Sequence, residues 1–244
     1  GIYPNEIEDL IKYNLSTSLS SSVIASAISK KAEQANKSVG VHIKIDTGMG
    51  RLGVQPDALT KLMDNVITCK NLKIDGLFTH LSSADEEDPE TTHHQISIFS
   101  NVLKKLHTTN FSKMINENNR ILFHSANTAG LLRFPESRFD LVRPGISLFG
   151  SFPSPTVASV FDSLTNENKA TKLRPVMNWK TKIIQIQTLR KGVPVSYGGR
   201  YVTKNDGTRI ATIPVGYADG LSRRLSNNME LLVKETRVKQ VGTI

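Results

Sequence analysis

The sequence lacks several features that define specialised classes of protein. Its 244 residues include a single cysteine, Cys69, so no disulfide bond can form within the chain, and we expect a reducing, cytoplasmic location. No apolar run approaches the ~18 residues that a transmembrane helix requires, so we expect no membrane span. The opening stretch GIYPNEIEDL is acidic and polar, which is unlike a secretory signal.

Aromatic residues are also scarce, although the chain is strongly basic. The net charge is +9, and aromatic residues make up only 6% of the sequence. The cations are spread along the chain without a long basic run, and too few aromatics are present for a base-stacking surface. We therefore expect no nucleic-acid partner, since a basic proteome background or a phosphorylated ligand explains the charge equally well.

The first part of the chain, residues 1–155, alternates helical and strand-like patterns, which predicts an α/β fold with a parallel sheet or barrel. Helices are predicted over 22–35, 58–66 and 94–106, strands over 41–46, 72–80 and 121–125, and a further strand or strand-to-loop passage over 141–150. Four such units cannot close a barrel. We therefore expect either an open sheet or a barrel of which pieces are missing.

The pattern changes in the second part of the chain. Residues 156–172 are rich in Ser, Thr and Asn and are predicted to be a linker. Residues 173–244 contain alternating strand-like stretches separated by turn residues and lack helical periodicity, which predicts an all-β domain.

Polar clusters follow three of the predicted strands. The stretch KIDTGMGRLGV, residues 44–54, runs from a strand into a glycine-containing loop that ends near Arg51, while His80 and His124 stand at two other strand ends. The carboxyl ends of parallel strands form the functional face of α/β folds. Taken alone, the first stretch is equally compatible with an ordinary turn that carries a solvated arginine.

Six stretches resemble those of alanine racemases and occur in that family's order and approximate spacing. They are HIKIDTGMGRLGV, GLFTHLSSAD, FHSANTAG, FDLVRPGISLFG, VSYGGRYV and IPVGYADGLSRR. The resemblance covers essentially the whole chain. It implies a pyridoxal-phosphate-dependent isomerase with a (β/α)8 barrel of the TIM type, here partial, followed by a C-terminal β domain truncated at its end.

The resemblance assigns roles to three cations. Arg51 matches the arginine that helps to hold the substrate carboxylate and the phenolic oxygen of the cofactor, a task suited to a planar guanidinium. Lys44 matches a lysine that is carbamylated in many members; an unmodified, ion-paired lysine is the alternative. Arg143 matches the arginine that faces the pyridine nitrogen, although in isolation it would read as a solvated residue before Pro144 and Gly145.

An arginine beside the pyridine nitrogen has a specific chemical meaning. It stays protonated in nearly any protein setting, so it cannot transfer a proton to the ring. The ring is then a weaker electron sink than one paired with a carboxylate, which favours brief removal and return of a proton with few side reactions. Related decarboxylases for basic amino acids carry a glutamate at this place, so Arg143 favours a racemase.

Further residues match positions that hold the cofactor. A lone histidine at a strand end is more often structural, but the surrounding motifs place two histidines in the hydrogen-bond network under the cofactor. Thr128 takes the place where the family usually has a serine hydroxyl for the phosphate, and a glycine-containing turn suits phosphate binding. The predicted cofactor-binding residues are His80, His124, Asn127, Thr128, Arg143, Gly145 and Ile146.

Tyr197 matches the catalytic tyrosine, which exchanges the α-proton on one face of the substrate. Because a tyrosine has a pKa near ~10, it needs nearby positive charge to act as a base. The alternative is a tyrosine of the β-domain core with its hydroxyl at the surface. In relatives this tyrosine reaches the site of the partner subunit, which implies a homodimer.

The resemblance also suggests residues of a substrate corridor, and two adjacent histidines raise the question of a metal site. Asp85, Tyr217 and Arg223 match residues that line the corridor. His93 and His94 lack a third ligand at suitable spacing, so we predict a solvated helix start and no metal site.

The sequence also departs from the family. The cofactor lysine, which is the second base, lies in a strand motif upstream of these residues, and a C-terminal portion is not matched. We therefore expect an internal segment of a longer alanine racemase, inactive alone, whose complete form supplies D-alanine for peptidoglycan. The alternatives are a related racemase, for example for serine, and a non-catalytic remnant or binding module of the same fold.

Overall fold

Residues 1–108, 111, 121–166 and 172–244 are described by the computed structural model. They form two compact units, Gly1–Val176 and Met177–Ile244. The predicted start of the β domain, residue 173, lies a few residues before this division and stays a prediction.

Four parallel strands form the sheet of the first unit, in the order β1-β2-β3-β4. The strands are β1 (Thr17–Leu19), β2 (Val39–Lys44), β3 (Leu72–Phe78) and β4 (Leu122–His124). The helices are α1 (Ile7–Lys12), α2 (Ser22–Gln34), α3 (Leu59–Ile67), α4 (Glu90–His107), α5 (Thr128–Arg133) and α6 (Pro155–Asn166). Among the described residues, none of the helices is long and apolar enough to cross a bilayer. The predicted α/β class with a parallel sheet is confirmed.

One apolar core joins helices α1 to α4 to the sheet. Val41 and Ile43 of β2 are fully buried and belong to this core, as does Phe99 of α4. Since successive side chains of a strand point to opposite faces, His42 and Lys44 lie on the other face. The sheet therefore has one packed apolar face and a second face that carries polar side chains.

Strands β2 and β3 shift register once along their length. Val41 pairs with Ile74, whereas the next residue, His42, pairs with Gly76. A methyl group on Gly76 would collide with the imidazole of His42. Glycine at this point therefore allows the His42 ring to lie close against β3.

Two predictions for residues 141–172 need correction. The described residues contain no strand over 141–150; Ile146–Phe149 form a 3-10 helix, which ends at Gly150 with φ +84°. The predicted linker 156–172 contains most of α6, whose Val157 is fully buried and whose Phe161 ring lies 5.1 Å from that of Phe152. Apolar side chains at helical spacing therefore outweighed the polar composition. The part of the linker over 167–171 lies outside the described residues.

The second unit is built from antiparallel strand pairs, which confirms the predicted β domain. The strands are β5 (Gln185–Leu189), β6 (Pro194–Val195), β7 (Tyr201–Val202), β8 (Thr208–Thr212), β9 (Glu230–Val233) and β10 (Thr236–Lys239). They pair as β5 with β8, β6 with β7 and β9 with β10. The stretch VSYGGRYVT is interrupted at Tyr197–Gly199 by a 3-10 turn, because Gly198 and Gly199 adopt φ +73° and +57°.

Candidate active site

A tight loop follows β2 and carries Arg51. The Asp46 carboxylate accepts hydrogen bonds from the backbone N–H groups of Gly48, Met49 and Gly50 at 2.9–3.1 Å. Burial raises the pKa of Asp46, but these bonds and the Lys44 charge outweigh that effect, so its pKa is lowered overall. The Asp46 carboxylate therefore fixes the backbone that leads to Arg51.

The end of β2 brings two cations close together. Lys44 is 6% exposed, and its Nζ lies 5.8 Å from the centre of the Phe78 ring. Burial and the charges of Arg51 and Arg143 lower the pKa of Lys44, although Asp46 opposes them. Within the described part of the chain Lys44 forms no ion pair, so the ion-paired alternative is not found there. Arg51 is exposed.

Arg143 is held by the carboxyl ends of two strands. Its Nη2 donates to the carbonyl oxygens of Thr79 at 2.7 Å and Ser125 at 3.2 Å, and its Nη1 donates to Nδ1 of His124. Burial lowers the pKa of Arg143 to about 10, so the group remains a cation at neutral pH. These contacts differ from the solvated turn that the LVRPG stretch alone would allow.

Two predicted histidines lie beside Arg143 in their neutral form. Burial, Arg143 and His42 lower the pKa of His124 to about 3. Burial and the charges of Arg143, Lys44 and Arg51 lower the pKa of His80 to about 4. Both imidazoles are therefore uncharged at pH 7, and the positive charge of the cluster belongs to the lysine and the arginines.

The loops after β4 bring together the predicted phosphate-side residues. Asn127 caps α5 by accepting a bond from the N–H of Gly130 at 2.9 Å and donates to the carbonyl of Leu81 at 3.1 Å. The hydroxyl of Thr128 accepts the N–H of Gly145 at 2.9 Å. A side chain at Gly145 would meet open space, and Ile146 begins the 3-10 helix that follows.

Asp85 lies in a different part of the first unit. Its carbonyl accepts a hydrogen bond from the Ser154 hydroxyl at 2.7 Å, and the preceding carbonyl, that of Ala84, accepts one from Arg133. Asp85 lines a cavity with neighbouring acidic residues and the start of α6. None of its described contacts is with the cations of the cluster, so its corridor role stays a prediction.

The remaining predicted site residues belong to the second unit. Tyr197, Tyr217 and Arg223 each begin a 3-10 helix and are exposed; the tyrosines are 80% and 64% exposed. Tyr197 is therefore not a core residue of this unit. The carbonyl of Tyr197 accepts a bond from the Thr243 hydroxyl at 2.9 Å, which ties the turn to the end of the chain.

The two histidines at the start of α4 lie at the surface of the first unit. Nδ1 of His93 lies 3.2 Å from the Glu136 carboxylate, and its ring meets the edge of Phe134. His94 is exposed. No group of three potential ligands suited to a metal ion occurs in the described residues.

Sequence reasoning missed Gln95, which connects the loops of the site. Gln95 is 1% exposed, and its Oε1 accepts bonds from the N–H and hydroxyl of Ser82 at 2.9 and 3.1 Å. Its Nε2 donates to the carbonyl of His80 at 3.2 Å and lies 3.5 Å from the Thr47 hydroxyl. The only sequence signal was a polar residue on the apolar side of a helix.

Replacing Gln95 with leucine should destabilise these loops. The substitution leaves the buried polar groups of Ser82 and His80 without partners, so we expect the free energy of unfolding to fall by about 2 kcal/mol. Urea denaturation followed by circular dichroism measures the change. Gln34→Leu, at an exposed position of α2, is the control and should stay within about 0.5 kcal/mol of the parent. Equal midpoints for the two variants would contradict the assignment.

The four-stranded parallel sheet carries cations and neutral imidazoles at its strand ends, and a unit of antiparallel strand pairs follows it along the chain. These features define part of an α/β-barrel protein with a C-terminal β domain. The chain belongs to the alanine racemase family. The model of the N-terminal domain of alanine racemase matches residues 1–153, and that of the C-terminal domain matches residues 176–244.

Individual relatives agree with this assignment. The chain is 37% identical over 244 residues to alanine racemase of Syntrophobacter fumaroxidans and 40% identical over 243 residues to that of Thermodesulfovibrio yellowstonii. These alignments cover 100% of this chain and 60% and 59% of the relatives. A solved alanine racemase of Clostridium difficile superposes with a TM-score of 0.85 at 31% identity over 100% of this chain and 59% of that chain. The chain thus spans about 60% of the length of these relatives.

Proposed function

We propose that the protein carrying this chain is a pyridoxal-phosphate-dependent alanine racemase, a cytoplasmic homodimer that supplies D-alanine for peptidoglycan. The observation that carries the proposal is Arg143, a cation anchored between the ends of β3 and β4. No carboxylate contacts its guanidinium among the described residues, as expected for a site that keeps a pyridine nitrogen unprotonated.

The residues present fit this cofactor at two places. Gly145 borders open space beside the Thr128 hydroxyl, which accepts the Gly145 N–H and would donate its own proton to a phosphate oxygen there. Arg143 uses three of the five N–H groups of a guanidinium on His124 and two carbonyls, so two N–H groups are left by these contacts, and a ring nitrogen would accept one of them. When bound, the cofactor withdraws electrons from the α-carbon of the amino acid and weakens its C–H bond.

The side chains at the end of β2 would bind the substrate carboxylate. Arg51 is exposed on a loop whose backbone is already fixed by Asp46, and a guanidinium binds a carboxylate in a planar, bidentate way. We further propose that Lys44 is carbamylated. Its buried amine has a lowered pKa, which favours the neutral form that adds carbon dioxide and releases one proton to leave a carbamate. The carbamate would exchange the positive charge of Lys44 for a negative one, which would attract and orient Arg51.

Two bases would exchange the α-proton on opposite faces of the substrate. By resemblance, one is Tyr197 from the partner subunit, and the other is the family's cofactor lysine, which lies upstream of the residues matched here. Removal of the proton by one base and its return by the other inverts the stereocentre. We therefore propose that the 244-residue chain alone does not racemise alanine.

The first experiment compares this chain with a longer protein that contains it. Each is incubated with pyridoxal phosphate and reduced with borohydride, which fixes the cofactor to a lysine that binds it covalently. We expect one stoichiometric label in the longer protein, outside this chain, together with alanine racemisation faster than serine racemisation. We expect no specific label and no racemisation in the 244-residue chain.

Other outcomes would overturn particular parts of the proposal. A single label on a lysine of the 244-residue chain, or racemisation by it, would show that this chain has its own cofactor lysine. Faster racemisation of serine than of alanine would make serine the substrate of the longer protein. Absence of both label and racemisation in the longer protein would favour a non-catalytic member of the fold.

A further inference from the structure

Three side chains form a continuous hydrogen-bonded chain across the sheet. Nη1 of Arg143 donates to Nδ1 of His124, and Nε2 of His124 lies 2.9 Å from Nδ1 of His42. The two imidazole rings are 5.1 Å apart and inclined by 63°, while the other side of His124 stacks on Phe78 at 4.8 Å. His42 was not among the residues that the sequence analysis singled out.

The chemistry of the donors fixes the position of each proton. A guanidinium can only donate, so Nδ1 of His124 must accept and cannot carry a proton. Neutral His124 therefore carries its proton on Nε2 and donates it to Nδ1 of His42. His42 in turn carries its own proton on Nε2.

The surrounding charges support the neutral form of both rings. Arg143 lowers the pKa of His124, since a second N–H on that ring would point at a cation. For His42, burial and Arg143 lower the pKa, while Asp75 opposes them. The Asp75 carboxylate is also 3.1 Å from Nζ of Lys73, which shares its charge. Both imidazoles can thus keep one donor and one acceptor each at neutral pH.

We propose that His42 is a positioning residue, which accepts the His124 proton and so holds His124 in the tautomer that anchors Arg143. The guanidinium of Arg143 is then held by contacts that trace back to three strands or their ends: β2 through His42, β3 through the Thr79 carbonyl, and β4 through His124. The consequence for the cofactor rests on the proposed function; the tautomer assignment does not.

The place of His42 in the sheet is consistent with this role. The register shift between Val41 and His42 sets its ring against β3, and Gly76 provides the space for it. A side chain that only filled this space would not need a ring nitrogen within bonding distance of His124. The 2.9 Å distance between the two ring nitrogens therefore favours an acceptor role over packing alone, and variants of His42 can test this.

Two variants of His42 distinguish an acceptor role from a packing role, and both are made in the longer protein that contains this chain. His42→Leu removes the acceptor, whereas His42→Asn keeps an oxygen that can occupy nearly the position of Nδ1. His94→Leu, at an exposed histidine of α4, is the matched control. The readouts are nitrogen NMR of the imidazoles, the dissociation constant of pyridoxal phosphate and the kcat and KM for alanine.

We expect the parent protein to show His124 as the neutral Nε2–H tautomer from pH 6 to 8, because its pKa is lowered to about 3. His42→Leu should lose this signal pattern and weaken cofactor binding about 10- to 100-fold, the range known for groups that orient metal ligands. His42→Asn should recover most of both, and His94→Leu should resemble the parent. The fall in activity should be in kcat, since the substrate carboxylate is bound elsewhere.

The opposite results would overturn the inference. An unchanged His124 spectrum and cofactor affinity in His42→Leu would show that His42 is not a positioning residue. Equal defects in the Leu and Asn variants would show that the ring acts by packing alone. If the parent protein neither binds pyridoxal phosphate nor racemises alanine, the proposed function fails, and the nitrogen spectra alone decide the tautomer assignment.

Discussion

Arg143→Leu is expected to lower kcat/KM for alanine racemisation by about 10²- to 10³-fold, the usual effect of removing one preorganised donor from an active site. The loss has a direct structural cause, because the guanidinium is the group that would face the pyridine nitrogen. The variant also leaves the carbonyls of Thr79 and Ser125 without this donor, which should lower the free energy of unfolding by about 1–3 kcal/mol. Rates and urea midpoints are measured on the same preparations of a longer protein that contains this chain.

Two further variants separate lost chemistry from lost stability. Arg143→Lys keeps the charge but not the planar fork, so it should retain stability better than it retains activity. Arg138→Leu removes an exposed arginine that donates to the Leu131 carbonyl at 3.0 Å, and it should leave racemisation unchanged. Full activity in Arg143→Leu would exclude the assigned role.

In the longer protein, Tyr197→Phe is expected to lower the racemisation rate by about 10²- to 10⁴-fold, because one of the two proposed proton-transfer groups loses its hydroxyl. The tyrosine is 80% exposed in its own unit, so the unfolding free energy should change by less than about 0.5 kcal/mol. In deuterated water, the variant should retain exchange of the α-hydrogen from one enantiomer of alanine and lose it from the other. This selective loss identifies a base that acts on one face.

The control for this variant is Tyr13→Phe, which removes a hydroxyl from a tyrosine that is 60% exposed in the first unit. It should leave both exchange rates unchanged. Equal loss of exchange from both enantiomers in Tyr197→Phe would contradict a one-face role and would point to a general defect in binding.

Much of the first unit could be predicted because its elements have strong periodic patterns. The predicted helix over 22–35 corresponds to α2, and the predicted strand over 41–46 overlaps β2, since apolar residues recur there at helical and alternating spacing. The site could be located because parallel strands bring their carboxyl ends to one edge. Lys44, His124 and Arg143 are indeed brought together there.

Other features depend on contacts between distant parts of the chain. His42 meets His124 from 82 residues away, and Gln95 meets Thr47 from 48 residues away, so neither role is visible in a local pattern. β1 has three residues, too few to show alternation. In α6, polar and apolar residues are equally frequent, and the burial of Val157 shows which face packs.

The loop after β2 has a consequence for the entropy of binding. Ordering a backbone costs roughly 1–2 kcal/mol per residue, and the three N–H groups that bind Asp46 mean that this cost is met when the chain folds. A carboxylate that reaches Arg51 therefore meets a loop that is already ordered, and only the arginine side chain must lose freedom. Rigid folding of one short segment thus leaves more of the interaction energy for affinity.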